Sequence, residues 1–302
     1  MQRQFSQNMA HERLVQARAA TLPAALQSVN PASAADADLE RRFGGLRRLY
    51  GSAGAARIAR ARVCVVGVGG VGAWAAEALA RSGVGAIQLI DMDHVAESNI
   101  NRQVHALDAT LGQAKVQAMA ERIAQISPYC HVDAVDDFVT PDNWPGVLGA
   151  ALPEAIIDAC DQLPAKLVMA AWALRPQCKA RFIAVGAAGG KCQPELVRVG
   201  DLADATHDPL LAKLRYQLRR QQGAARAGKR IGLTSVSSAE AVRRPDASCS
   251  VTASTAGAAT GAMDGSLNCH GYGSAVAVTA TFGLCAAGWV LNRLAESAES
   301  TL

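Results

Sequence analysis

Between residues 61 and 200 short apolar runs alternate with amphipathic stretches, a pattern that predicts strands and helices in turn. Val63–Gly67, Ala86–Asp91, His131–Val135, Ala155–Ala159 and Arg181–Val185 read as strands. Helices are expected at 72–82, 112–127 and 164–175. Strands joined by helices imply right-handed crossovers and a parallel sheet. Upstream, Leu39, Phe43, Leu46 and Leu49 share one face of a helix over 38–60. The expected fold is α/β, a Rossmann-like, mostly parallel sheet flanked by helices, with a C-terminal extension. Three segments are expected: a poorly ordered extension over 1–37, an α/β core over 38–200, and a C-terminal part over 201–302. The last should hold a basic helix, a mobile loop near 244–270 and a final apolar helix.

That final helix raises a question of environment. Residues 271–291 carry no charge and are long enough to cross a bilayer. Ser274, Thr279, Thr281, four glycines and many alanines keep the hydrophobicity modest, which favours a buried helix over a membrane span. Peripheral membrane association is the less favoured reading.

Chemistry first appears at the end of the first predicted strand. Val63-Cys-Val-Val runs into Gly67-x-Gly69-Gly70-x-Gly72 and then a small-residue helix. Gly67 permits a sharp turn, Gly69 permits close approach of backbone N–H groups to a phosphate, and Gly72 permits close helix–strand packing. The helix N-terminus adds partial positive charge. Asp91 follows 19 residues after Gly72 and ends the second strand, where an acid can bind ribose hydroxyls.

A dinucleotide dehydrogenase would need little more. This chain continues with Asn99, Arg102, Gln103 and Lys115. Attack at the α-phosphorus of a triphosphate builds charge on phosphate oxygens, which calls for cations on both sides. Arg102 offers a planar fork and Lys115 a point charge. Asp161 lies just beyond the fourth apolar run, at the carboxyl edge where open α/β sheets bind ligands. A helix N-cap is the plainer role for Asp161.

These motifs, with Ser98-Asn99-Ile-Asn-Arg102-Gln103, Gly112-Gln-Ala-Lys115 and Ile156-Ile-Asp158-Ala-Cys-Asp161, resemble the ubiquitin-activating-enzyme-like adenylyltransferases of the ThiF/MoeB type over about residues 40–200. The resemblance implies that Asp91 binds the ribose of ATP, that Asn99, Arg102 and Lys115 contact phosphates, and that Asp161 holds Mg²⁺. Family arginines that reach into a partner's ATP site match Gly45 here, so Arg42, Arg47 or Arg48 would have to serve.

Cysteine spacing narrows the resemblance. None of the eight cysteines forms a CxxC pair, whereas structural zinc needs four soft ligands. The chain is similar instead to a zinc-free branch, the tRNA threonylcarbamoyladenosine dehydratases, over about residues 41–295. The strings carrying this are Arg42-Phe-Gly-Gly-Leu-Arg-Arg-Leu-Tyr-Gly51, Val135–Asn143, Asp208–Arg215 and Val278–Gly283. The branch implies carboxylate adenylation followed by ring closure on tRNA. It further implies a homodimer, a monovalent cation (Na⁺ or K⁺) and a cysteine desulfurase or sulfur-acceptor partner. Cys64 and Cys160 are expected inside strands as small core residues; Cys249, in a loop-like segment, is the candidate reactive thiol.

Composition fits a cytoplasmic enzyme: 302 residues, 50% hydrophobic, net charge +4, with unpatterned cysteines suited to a reducing compartment. The positive excess gathers in Lys213, Arg215, Arg219, Arg220, Arg226, Lys229, Arg230, Arg243 and Arg244, against Glu240 alone, a candidate footprint for a tRNA backbone. Activation of a sulfur-carrier protein, an NAD oxidoreductase and an inert nucleotide-binding adaptor are the alternative readings.

Overall fold

The computed structural model describes residues 38–244 and 272–296. By contacts the chain divides between Arg42 and Phe43. Of the first unit, residues 38–42 are described; there Asp38 Oδ1 accepts a hydrogen bond from Arg41 N at 3.0 Å. The expected helix runs Leu39–Arg60 (α1) and breaks at Gly51, whose φ of 71° is open to glycine. Its apolar positions are not all buried. Phe43 packs on Gly83, but Leu49 is 72% exposed.

All five expected strands form: Arg62–Val66 (β1), Ala86–Ile90 (β2), His131–Val135 (β3), Ala155–Asp158 (β4) and Arg181–Val185 (β5). Helices Gly72–Arg81 (α2), Lys115–Ile126 (α3) and Leu163–Ala173 (α4) connect them. Two further strands, Val197–Asp201 (β6) and Thr234–Ser238 (β7), flank the basic helix Pro209–Gln221 (α5), and the apolar helix is Val276–Ala295 (α6). The sheet order is β3-β2-β1-β4-β5-β7-β6, parallel throughout except that β6 runs against β7.

The strands alternate between two cores, as a sheet covered on both faces must. Val63 and Val65 of β1 face a core with Leu79, Met119, Ile123, Phe282 and Val290. Cys64 and Val66 face the other, with Met169, Leu211, Leu214 and Leu218. α6 belongs to the first core; Val278, Phe282, Ala286 and Val290 are wholly buried. Gly283 makes this possible, since a Cβ there would stand 2.9 Å from Ala75 N and 3.0 Å from Trp74 Cβ of α2. α6 is long and apolar enough to cross a membrane by length and composition, yet its apolar face is spent on α2 and the sheet.

The chain order reverses between β1 and β4: β2 and β3 add on one side, β4, β5 and β7 on the other. Such a switch point opens a crevice at the carboxyl ends of the two central strands.

Candidate active site

The glycine turn occupies that crevice. Gly67 has φ 85°, and a Cβ on it would lie 2.8 Å from Cys160 N and 2.9 Å from the Ala159 carbonyl. The turn after β1 therefore touches the turn after β4. A Cβ on Gly72 would drive into the Gly67 carbonyl oxygen, so the helix can start this close only with glycine. Gly69 faces open space. α2 has Val71 at its N-cap and no side-chain cap; Ala73 N already donates to Gly69 O at 3.1 Å, so the N–H groups ahead of it in the turn are the ones left to meet a ligand.

Asp91 caps the same turn from β2. Its Oδ2 accepts from Val68 N at 2.6 Å, and Oδ1 accepts from Asp93 N at 2.8 Å. Burial raises its pKa, with Lys115 and those two N–H groups pulling the other way. Each oxygen keeps a lone pair for a ribose hydroxyl.

The long β2–α3 crossover delivers the cations. Arg102 lies against Gly70, where a Cβ would stand 3.2 Å from its Cγ. Its Nη1 donates to Ser98 O at 2.6 Å and to Asn101 Oδ1 at 2.9 Å, and its carbonyl accepts from Trp74 Nε1 at 3.0 Å. Asn99 is buried, with Oδ1 accepting from Ala96 N at 3.0 Å; that bond fixes the turn that aims Arg102. Lys115 is the first residue of α3, and its Nζ pairs with Asp93 Oδ2 at 2.6 Å. Asp93, whose side chain is 56% exposed, holds the amine beside Asp91. Gln103 and His105 continue the segment, both buried, and Gln103 Oε1 and both His105 ring nitrogens have no hydrogen-bond partner among the described residues. Burial, with Lys115 and Arg122 nearby, depresses the His105 pKa to about 4, so the imidazole is neutral.

Asp161 is exposed on the turn after β4, where Gln162 Nε2 meets its Oδ1 at 3.5 Å. The N-cap of α4 is Gln162, so Asp161 is not the cap. Cys160 lies in this turn, two residues past β4, and not inside the strand; Cys64 is in β1 and wholly buried. Burial raises both thiols. Cys249 lies outside the described residues.

One pair escaped the sequence reading. Lys166 on α4 is fully buried and reaches Asp158 Oδ1 at 2.8 Å, Asp158 O at 3.3 Å and Val185 O at 3.0 Å. Asp158 Oδ1 in turn accepts from Cys160 N at 3.3 Å. The only hint in the sequence was a lone cation within an apolar helix, Leu163-Pro-Ala-Lys-Leu-Val-Met.

The crevice thus gathers Gly67, Gly69, Gly70, Gly72, Asp91, Arg102 and Lys115, with the Asp161 turn packed against Gly67. Mg²⁺ favours one or two carboxylates completed by phosphates and water. Asp161, a carboxylate open to solvent at the crevice, fits that preference. The described residues contain no cluster of three metal-ligating side chains.

A sheet with this switch point, glycine turn and cation-bearing crossover defines a nucleotide-binding α/β protein. The chain belongs to the ThiF family, whose family model matches residues 41–301. It is 44% identical to the tRNA threonylcarbamoyladenosine dehydratase of Escherichia coli K12 over 260 residues, covering 85% of this chain and 95% of that protein. The Haemophilus influenzae protein of the same name is 39% identical, covering 84% and 94%. The structure of the E. coli tRNA N6-threonylcarbamoyladenosine dehydratase in complex with ATP superposes with a TM-score of 0.73 at 42% identity, covering 84% and 94%; the same enzyme is known with AMP.

Proposed function

We infer that this chain dehydrates threonylcarbamoyladenosine in tRNA, using ATP to adenylate the side-chain carboxylate. The carrying observation is the 44% identity across 95% of the E. coli dehydratase, joined to a crevice that keeps the glycine turn, Asp91, Arg102 and Lys115 together. In the first step the carboxylate attacks the α-phosphorus of ATP and pyrophosphate leaves. In the second, the side chain's own carbamoyl group attacks the activated carbonyl, loses its proton and expels AMP. A ring closes and the nucleoside is lighter by one water.

Each residue has a task in this reading. The uncapped α2 N–H groups receive phosphate. Asp91 orients the ribose. Arg102 and Lys115 offset the charge that grows as pyrophosphate departs, with Asn99 and Gln103 holding and extending the Arg102 turn. Asp161 would hold Mg²⁺, which when bound would supply positive charge to stabilise the reacting phosphates. Ring closure is intramolecular and needs no protein nucleophile, so Cys249 is dispensable to it.

The basic segment suits a tRNA backbone, with three exceptions. Arg215 donates to Leu202 O and Ala205 O, Arg219 donates to Ala225 O, and Arg243 pairs with Glu240 Oε1 at 3.1 Å, so all three brace the fold. Lys213, Arg220, Arg226, Lys229, Arg230 and Arg244 are exposed and form the footprint. A homodimer is part of this reading, supported by the exposed Leu49 with Arg47 and Arg48 beside it on α1. A cytoplasmic setting, a monovalent cation and a sulfur-acceptor partner belong to the same reading by family resemblance.

Incubating modified tRNA with ATP and analysing nucleosides by mass spectrometry tests it. Loss of one water with AMP formation is expected; unchanged nucleoside overturns it.

A further inference from the structure

β6 runs backwards, so it ends at the amino edge of the sheet, where Asp201 accepts from Ile231 N at 2.9 Å and Gly232 N at 2.8 Å just ahead of β7. Residues 202–208 then climb to the carboxyl edge. There Asp208 caps α5 through Leu211 N at 2.9 Å, and its other oxygen accepts from Ala187 N, on the loop after β5, at 2.9 Å. Gly186 makes room, since a Cβ would strike the Asp208 carboxylate. His207 has φ 53°, the one positive value among described non-glycine residues. Its carbonyl accepts from Lys191 Nζ at 3.0 Å, and Lys191 also donates to Glu240 O at 2.7 Å. Lys191 is 2% exposed. Burying an ammonium is expensive, and here the expense fixes the 205–209 turn against the loops after β5 and β7.

The result is an open groove of about 510 Å³. Thr206 and His207 give it a polar, exposed rim; Pro209, Ala212 and Val242 give an apolar wall. None of these belongs to the nucleotide crevice. Ala187 follows β5, which neighbours β4 in the sheet, and Val242 follows β7, one strand further out. Across the sheet the strands that frame the groove therefore stand one to two strand spacings, about 5–10 Å, from β4, whose following turn carries Asp161.

That separation matches the substrate. In threonylcarbamoyladenosine the carboxylate oxygen is five bonds from the adenine N6, roughly 6 Å when extended. α5 leaves the groove carrying Lys213 and Arg220 outward, in place for phosphates beside the target nucleotide. We propose that the groove holds the adenine end of the modified nucleoside, so that only its carboxylate enters the ATP crevice. The assignment rests on the dehydratase reading above.

Ala212 is exposed, so Ala212→Trp fills the groove without entering the core. In the full-length protein it should raise KM for modified tRNA about tenfold or more at little cost in kcat, and leave ATP affinity and binding of the unmodified tRNA within about twofold. Ala212→Ser should match wild type. A wild-type KM in Ala212→Trp overturns the groove while the activity stands; a wild type that never dehydrates the nucleoside overturns the activity instead. Independently of any variant, a photoreactive azidoadenine analogue of the nucleoside should label the 205–215 peptide of the wild-type protein, and labelling confined to other peptides overturns the groove.

Discussion

Lys166 Nζ stands 2.8 Å from Asp158 Oδ1 with both side chains wholly removed from solvent. Burial alone would lower the lysine's pKa, but Asp158 outweighs it and holds the pKa above the ordinary value. The pair ties α4 to the ends of β4 and β5 and, through Cys160 N, sets the turn that presents Asp161. Lys166→Met should cost about 3–5 kcal/mol by leaving a buried carboxylate unpaired, and Lys166→Met with Asp158→Asn should recover most of it. Urea unfolding of the two singles and the double checks this; additive losses would refute the coupling.

Lys115→Ala and Arg102→Ala should each slow turnover on the order of 10²–10³-fold, as for a lost oxyanion donor. Both should fold, because Asp93 is half exposed and the Arg102 carbonyl still receives Trp74. Single-turnover assays beside circular dichroism test the split, and near-wild-type rates in either would remove that residue from the phosphate site.

Asp161→Asn touches nothing buried, so its melting temperature should stay put. Its Mg²⁺ requirement should rise at least by the roughly tenfold typical of a lost supporting partner. An unchanged Mg²⁺ titration would assign the metal elsewhere.

Gly69→Ala and Gly72→Ala should part company. The first meets open space and should fold normally yet bind ATP more weakly, because its methyl stands where phosphate approaches. The second collides with the Gly67 carbonyl and should lose about 1–3 kcal/mol of stability. Calorimetric titration with ATP and thermal melts distinguish them; equal ATP affinity in Gly69→Ala would move the phosphate.

His105 predicts a pH dependence. Its folded pKa of about 4 lies below the ordinary 6.5, so the unfolded chain binds the extra proton first. Stability is intact above pH 6.5 and falls as pH drops toward 4, by about 3 kcal/mol in all. His105→Phe should flatten that slope in denaturant titrations between pH 7 and 4. An identical slope would acquit the histidine.

Much of this architecture was legible from the chain. Val63–Val66 and Ala155–Asp158 are unbroken apolar runs because both faces of those strands are covered. β6 and β7 were not legible. Val-Arg-Val-Gly-Asp leaves its middle exposed, and Thr-Ser-Val-Ser-Ser buries polar residues under neighbours distant in sequence. Neither pattern carries a period that announces a strand. The glycine turn, Asp91, Arg102 and Lys115 could be read because each sits at a fixed offset from a strand end. Lys166 could not, because its partner lies eight residues back across a turn, outside any helical spacing. The α1 apolar face misled for a physical reason: Leu49 has the right spacing, but the kink at Gly51 and the open side of the helix leave it uncovered.

The reversed strand has an evolutionary corollary. The residues proposed to handle ATP lie on the first four strands and the turns after them, while Thr206, His207 and Ala212 of the groove follow β6, the one antiparallel strand of the sheet. A lineage can therefore rewrite its clientele there without retuning its engine, and chimaeras exchanging residues 186–244 between relatives should trade substrate preference while keeping nucleotide affinity.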